Sequence, residues 1–212
     1  EFLIDAADND ETGFLVNGAS VMAEFQAAHV IPEVDSYRYS KIYADVLPGA
    51  PDNIDDTAME TTELVDLLTL DCATIRDRVG DIPLVITMSG LVQRHLGRQF
   101  SQSLDVVNFN RGGIFTKVKA LDGDPIMIVP SARLKTAYTY RDGVSAGQEA
   151  GGFTAAEGAK DIKWIIMPIT APIAVGKIDK MRAFSPDEYP NAHAWKVDYR
   201  LFHDLWVLPN GY

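Results

Sequence analysis

The chain lacks the features on which several protein classes depend. It has one cysteine, Cys72, so no internal disulfide can form within its 212 residues. No segment approaches the roughly 20 consecutive apolar residues of a membrane-spanning helix, so we expect no membrane partner. Basic residues are scarce, with 19 lysines and arginines against 30 aspartates and glutamates, and the formal net charge is −11. Because basic surfaces supply most of the affinity for polyphosphates, we expect only non-specific contact with DNA.

Residues suited to catalysis are few and scattered. Neither a GxSxG elbow nor a Walker A loop is present. Metal-ligand spacing such as HExxH is missing among the four histidines, which are His29, His95, His193 and His203. Four carboxylates could act as general acids or bases, and they are Asp122, Asp124, Asp198 and Asp204. Roles in turns and on the solvated surface explain the presence of these residues more simply. We therefore predict no catalytic or metal-binding residues and a protein that is not an enzyme.

Two glycine-containing segments invite comparison with anion-binding loops. The Asn110-Arg111-Gly112-Gly113 string offers backbone amides, but no helical pattern follows it, which favours a loop before a strand. Gly147 to Gly158 resembles a phosphate cradle in composition alone, and a flexible loop explains it. We predict no cofactor-binding residues and no cofactor.

The length and composition allow a substantial core. With 47% hydrophobic and 23% charged residues, the chain has the composition of an ordinary globular protein. Its 212 residues fit one domain or two closely joined subdomains.

The first quarter of the chain has two amphipathic helical patterns. Apolar residues recur at three- and four-residue spacing from Phe14 to His29, after the potential N-cap residues Asp8, Asn9 and Asp10. Pro32 lacks an N–H and suits the first turn of a helix, so we expect it to separate the first helix from a second one that ends near Val46. A long, bent helical rod at this place is an architectural element.

The rest of the chain alternates between helical and strand patterns. We predict a loop over residues 47–53, a helix over 60–79 and a second helix that Ser89 caps and that ends near Phe100, with Leu91, Val92, His95 and Leu96 on its inner face. Buried strands are predicted over 84–88 and 162–167, a hairpin over 114–120 and 126–129, and sheet structure over 194–208. Residues 138–160 form a predicted loop excursion, and 171–178 an irregular apolar segment.

Several strings occur in the order typical of one protein family. The first are Phe2-Leu3-Ile4-Asp5, Asn9-Asp10-Glu11-Thr12 and Val30-Ile31-Pro32-Glu33-Val34-Asp35-Ser36-Tyr37-Arg38-Tyr39-Ser40-Lys41. Leu121-Asp122-Gly123-Asp124-Pro125 follows, continuing through Ile126-Met127-Ile128-Val129-Pro130-Ser131. The last are Phe184-Ser185-Pro186, Ala194-Trp195, Tyr199-Arg200, His203-Asp204 and Val207-Leu208. In this ordered set the chain resembles the major capsid protein of tailed phages and prophages, whose fold is shared with encapsulin shells and the herpesvirus capsid floor.

The resemblance implies an α+β fold with a long spine helix, a peripheral β-sheet and an inserted mixed α/β axial subdomain. By position, residues 1–46 would form the peripheral spine, 47–161 the axial subdomain and 162–212 the return strands shared by both. The family's N-terminal arm and extended loop have no counterpart in these residues. We therefore expect a capsid core that does not close a shell by itself.

The resemblance also implies a function, partners and a location. The function is that of a structural subunit of the icosahedral head that encloses double-stranded DNA. Its partners would be further copies of itself in hexamers and pentamers, with scaffold, portal and decoration proteins as additional candidates. Assembly would take place in the bacterial host cytoplasm, and the mature location would be the virion. The alternatives are an encapsulin-like shell subunit, which shares the fold and loads cargo enzymes, and a small α/β hydrolase.

Overall fold

The protein has a mixed α+β structure in a computed structural model that describes residues 2–5, 18–56, 64–99, 105–111, 114–189, 191 and 193–207. The chain divides into two compact units. One comprises Glu1–Asp35 and Ala174–Leu205, and the other comprises Ser36–Ile173 and Trp206–Tyr212. The predicted boundaries lie after residues 46 and 161, whereas the structural divisions fall after Asp35 and Ile173.

The helical patterns of the first quarter form one continuous run. Helix α1 (Gly18–Phe25) is followed by a π-helical turn (Gln26–Val30) and then by helix α2 (Ile31–Gly49). The Ile31 N–H donates to the Gln26 carbonyl, which lies five residues back. This wider turn precedes Pro32, whose missing N–H and bulky ring would disrupt a regular α-helical ladder. The predicted interruption at Pro32 is therefore confirmed, because a second α-helix begins at Ile31 with Pro32 in its first turn, although a π-helical turn joins it to α1 without a break.

Other details of this region differ from the prediction. Residues 47–49 belong to the last turn of α2 rather than to a loop, and a short 3₁₀ turn occupies Pro51–Asn53. The predicted N-cap residues Asp8, Asn9 and Asp10, together with Phe14, lie outside the described residues.

In the first unit, α1 accompanies a three-stranded sheet with the order β1-β10-β9. The strands are β1 (Phe2–Asp5), β9 (Pro172–Phe184) and β10 (Ala194–Val207), and the last two continue slightly beyond the unit. Strand β1 is antiparallel to β10, with Phe2 opposite Val197. A Cβ atom on Gly18 would lie 3.0 Å from Val197 Cγ2, so glycine allows the start of α1 to approach β10 closely.

The second unit is built around a five-stranded mixed sheet with the order β3-β4-β5-β2-β8. The strands are β2 (Leu84–Ser89), β3 (Asp105–Arg111), β4 (Ile114–Leu121), β5 (Asp124–Val129) and β8 (Trp164–Pro168). Every residue of β2 is buried, and this strand pairs in parallel with β5 and antiparallel with β8. A continuous run of apolar residues is typical of such a strand.

Two helices complete the core of this unit. They are α3 (Leu64–Val79) and α4 (Gly90–Gln99). Leu64, Leu68 and Cys72 lie one turn apart along α3 and join the residues of β2 in a single apolar cluster with Val92 and Leu96. The Val92 N–H lies 3.4 Å from Ser89 Oγ, which agrees with the predicted cap of α4.

The hairpin predicted from Asp122-Gly123 is confirmed. Asp122 has φ 50° and Gly123 has φ 90°, as a two-residue turn with positive φ at both positions requires. Strand β3 was not predicted, and it pairs antiparallel with β4 along its whole length. The segment predicted as irregular, 171–178, is part of the 13-residue strand β9.

Candidate functional surfaces

The histidines and carboxylates considered as catalytic groups have structural roles or stand apart. His29 lies in the π turn, His95 in α4, His193 just before β10 and His203 within β10. His29 is exposed, and its ring centroid lies 5.4 Å from that of Phe25. Within the part of the chain that the structure describes, no three histidine, cysteine, aspartate or glutamate side chains are grouped so that they could hold a metal ion.

Asp124 is the one candidate carboxylate that is buried and strongly bonded. Its Oδ2 accepts a hydrogen bond from Arg76 Nη2 at 2.5 Å, and its Oδ1 accepts one from the Leu84 N–H at 3.3 Å. Both oxygens are therefore engaged in holding α3, β2 and β5 together. The Asp122 side chain is exposed in the turn.

The remaining candidates bond to near neighbours. Asp198 forms a 3.6 Å ion pair with Lys196, and Asp204 Oδ1 accepts a hydrogen bond from the adjacent Leu205 N–H at 2.7 Å. Asn110 and Arg111 lie in strand β3, whereas Gly112 and Gly113 are outside the described residues.

Cys72 has the environment of an inert core residue. The side chain is buried in α3, and burial, reinforced by the nearby charge of Asp124, raises the pKa of its thiol to about 11. A thiol that remains protonated at neutral pH is a poor nucleophile. Cys72 therefore acts as a small buried hydrophobe.

Residues 134–162 form an antiparallel ribbon in the second unit. At its centre, strand β6 (Tyr138–Tyr140) pairs with β7 (Phe153–Ala155). Backbone bonds extend the pairing from Ile162 N–H to the Leu134 carbonyl at one end, and from Arg141 N–H to the Gly152 carbonyl at the other. Sequence reasoning assigned this region to a loop because short strands flanked by glycine give a weak pattern.

Aromatic side chains attach the ribbon to helix α2. Tyr140 Oη lies 3.2 Å from Ser36 Oγ, and the rings of Tyr37 and Tyr140 are edge-on at 6.2 Å. Tyr138 packs edge-on against Phe153 at 5.4 Å. These contacts hold the centre of the ribbon, whereas residues 141–147 at its far end are exposed.

Hydrogen bonds also shape the ribbon's tip. Asp142 accepts from the N–H groups of Val144 and Ser145 and from Ser145 Oγ, at 2.9, 2.8 and 2.5 Å. These bonds lower the pKa of Asp142 to about 2. Val144 is 84% exposed on this loop. The tip therefore presents an apolar side chain to solvent from a defined turn.

The first unit has an apolar groove of about 280 Å³ beside its sheet. It is bordered by the start of α1, at Gly18 and Ala19, and by Met181, Ala183 and Trp195. Met181 and Trp195 are 51% and 40% exposed. Its lining consists of apolar side chains and glycine, which suits packing rather than chemistry.

Among the described residues, no helix is both long and apolar enough to cross a membrane. No family model, curated protein or solved structure matches the chain.

Proposed function

We propose that this protein is a major capsid protein of a tailed bacteriophage or prophage, a structural subunit that assembles with copies of itself into an icosahedral head. The observation that carries the proposal is the agreement between the ordered sequence strings and the elements on which they lie. The Val30 to Lys41 string lies in the helical run from Gly18 to Gly49, whose segments of 8, 5 and 19 residues follow one another without a break. A helix of this length suits a capsid spine.

The other strings also lie on matching elements. The Leu121 to Val129 string begins at the end of β4, turns at Asp122-Gly123 and runs along β5. The strings from the two ends of the chain meet in one sheet, where Phe2 pairs with Val197 and Asp5 with Ala194. These strings are far apart in the sequence, yet the strands that carry them are neighbours in the sheet. Their pairing supports one family pattern rather than separate chance matches.

Exposed apolar side chains give a physical basis for assembly. They occur in the first unit at Met181, Trp195 and Phe202, and in the second unit at Ile128 and Val144. A subunit of a shell needs several distinct contact surfaces, because heterologous contacts close into rings only when each subunit has complementary patches. Many weak contacts suffice when one subunit is held at several edges.

The test is the concentration dependence of assembly. We expect sedimentation velocity to show oligomers that grow with concentration, and negative-stain microscopy to show pentameric and hexameric rings. A protein that stays monomeric at millimolar concentration would contradict the proposal. Particles that enclose a cargo enzyme would instead identify an encapsulin-like shell. Hydrolysis of an ester, peptide or phosphate substrate that is lost when one histidine is replaced would identify a hydrolase.

A further inference from the structure

Strand β9 forms an open edge of the sheet in the first unit. The order of the strands is β1-β10-β9, so β10 pairs with one side of β9. Among the described residues, no strand pairs with its other side. Within its 13 residues, Pro172, Ile178 and Phe184 are half-buried and all the others are exposed. The outward backbone N–H and C=O groups of β9 can therefore bond to an added strand.

Two side chains of opposite charge lie near the middle of this strand on one face of the sheet. Met181 lines the groove next to α1, and Asp179 accepts a hydrogen bond from Tyr199 of β10. Because side chains alternate along a strand, Lys177 lies on the same face as Asp179 and Met181. Lys177 and Asp179 are both exposed, so an added strand would meet both charges.

A second copy of β9 is complementary to this edge. When two copies of the strand pair antiparallel over all 13 residues, the central residue, Ile178, lies opposite its own copy. Lys177 of each copy then lies opposite Asp179 of the other, which gives two cross-strand pairs of opposite charge. On the same face, Val175 lies opposite Met181, and both side chains are exposed in the single chain.

The other face of the paired strands has no like charges opposite one another. In the same alignment, Lys180 lies opposite Gly176 and Arg182 lies opposite Ala174. These two cations therefore extend over small, uncharged residues. Ile178 lies opposite its own copy on this face, and β-branched side chains pack well across strands.

Charge also disfavours the neighbouring alignments. The nearest antiparallel alignments that keep the two faces matched are centred on residue 177 or on residue 179. The first places Lys177 opposite Lys177, and the second places Asp179 opposite Asp179. Like charges directly opposite one another are destabilising. The alignment with the greatest overlap is thus the one with matching charges, which favours a second copy of β9 over an unrelated strand.

We propose that β9 of one copy pairs antiparallel with β9 of a second copy, with Ile178 at the two-fold axis, an inference that rests on the proposed assembly from copies of one chain. The same surface is used on both copies, so the contact is isologous and one pair of copies completes it. Rings require heterologous contacts in addition. Within a shell, the β9 contact therefore joins copies that belong to different rings.

Charge reversal at the two paired positions tests the contact. In a homodimer, Lys177→Glu places two pairs of acidic side chains opposite one another, and Asp179→Lys places two pairs of lysines. Sedimentation equilibrium should show the dissociation constant of the dimer raised by about tenfold or more in each variant. An equimolar mixture of the two variants should form heterodimers, because every charged pair across the axis then has opposite signs.

Two further variants separate this contact from effects of net charge and folding. Arg182→Glu changes the net charge as much as Lys177→Glu does, but it lies opposite Ala174 and should change the dissociation constant by less than about threefold. The exchange Lys177→Asp/Asp179→Lys keeps the net charge and restores opposite charges across the axis, so it should associate like the unaltered protein. Asp179→Lys and the exchange both lose the hydrogen bond with Tyr199, so the difference between them reports the charge pairing.

A disulfide cross-link reports the alignment directly. In a Cys72→Ala background, Ile178→Cys brings two thiols to facing positions whose Cα atoms are about 4.5–5.5 Å apart, within the range of a disulfide. Oxidation should then join two chains, as measured by non-reducing electrophoresis. Lys180→Cys in the same background is the matched control on the same face. Its two thiols are displaced by about 13 Å along the strands and should not cross-link.

The outcomes distinguish this contact from the capsid function. A protein that remains monomeric at millimolar concentration would contradict both. Dimers that behave as expected in every variant, without any rings, would support the contact and overturn the capsid function. If rings form and the charge-reversed variants associate like the unaltered protein, or their mixture shows no recovery, only the contact is wrong. The same holds if Lys180→Cys cross-links as efficiently as Ile178→Cys, because β9 then meets a different surface.

Discussion

Arg76 and Asp124 form an ion pair at 2.5 Å that joins the last turns of helix α3 to the first residue of strand β5. The Asp124 side chain is 6% exposed and that of Arg76 is 35% exposed. The second carboxylate oxygen of Asp124 accepts the Leu84 N–H at the start of β2. One carboxylate thus fixes three elements of the core, and its role is to hold the fold.

Asp124→Ala should lower the free energy of unfolding by about 2–4 kcal/mol. The substitution leaves the buried Leu84 N–H without its acceptor and removes the partner of a half-buried cation. Urea unfolding followed by circular dichroism measures the effect. Asp122→Asn, two residues earlier on an exposed turn, is the matched control and should change stability by less than about 0.5 kcal/mol. Equal urea midpoints for the Asp124 variant and the unaltered protein would contradict the structural role.

Two glycine-to-alanine substitutions should have opposite effects. Gly123 has φ 90° in the β4–β5 turn, so alanine there should cost about 1–2 kcal/mol of stability. Gly97 lies in helix α4, and nothing lies within 4 Å of the Cβ position, so alanine there should add about 0.5–1 kcal/mol. Thermal unfolding of the two variants, measured side by side, checks both signs. A stabilising Gly123→Ala would rule out this turn.

The strongest sequence signals correspond to the most buried elements. Leu84 to Met88 was predictable as a strand because β2 pairs on both edges and each of its residues is buried, so these residues are apolar except for Thr87. The hairpin was predictable because few residues other than Asp and Gly adopt the turn conformation at Asp122-Gly123.

The errors arose where burial is one-sided or absent. Leu91 was placed on the inner face of its helix with Val92, but it is 63% exposed, because adjacent helical residues point about 100° apart. Pro172 and Gly176 interrupt the apolar strand pattern of β9, so residues 171–178 were predicted as an irregular segment. Pro172 is the first residue of that strand and Gly176 faces open space, so both are tolerated there.

The surfaces proposed for assembly were harder to predict. The exposed residues of β9 and β10 have no periodic apolar pattern in the sequence. The ribbon of residues 134–162 depends on backbone pairing and on aromatic contacts between Tyr37, Tyr140 and Phe153, which are far apart in sequence. Such contacts have no local signature.

Cys72 should resist thiol reagents until the protein unfolds. Its thiol is buried, and its pKa of about 11 keeps the thiolate scarce near neutral pH. With Ellman's reagent in increasing urea, we expect the rate of labelling to rise in parallel with unfolding. The control is Cys72→Ala/Ala73→Cys, which moves the thiol to the exposed neighbouring position and should react rapidly without urea. Equal rates for the two proteins in buffer would contradict the buried position of Cys72.

The tip of the ribbon should lose its order in acid through the titration of Asp142. Hydrogen bonds from Ser145 and Val144 favour the charged carboxylate and lower the pKa of Asp142 from its ordinary value of 3.8 to about 2. The stabilisation of the loop by Asp142 is therefore complete above about pH 4 and is lost as the pH falls through about 2.

Amide chemical shifts of Val144 and Ser145, followed by NMR from pH 6 downward, report this titration directly. The midpoint of these chemical-shift changes should lie well below pH 3.8. Asp142→Asn should remove the transition at both amides, whereas the separate transition of the loop around Glu188 should remain. Glu188 is a suitable internal reference because it accepts the Ser185 N–H and hydroxyl in a separate turn. If the Val144 and Ser145 shifts titrate at or above 3.8, the carboxylate does not hold the tip, because a bonded acceptor must be harder to protonate than a free one.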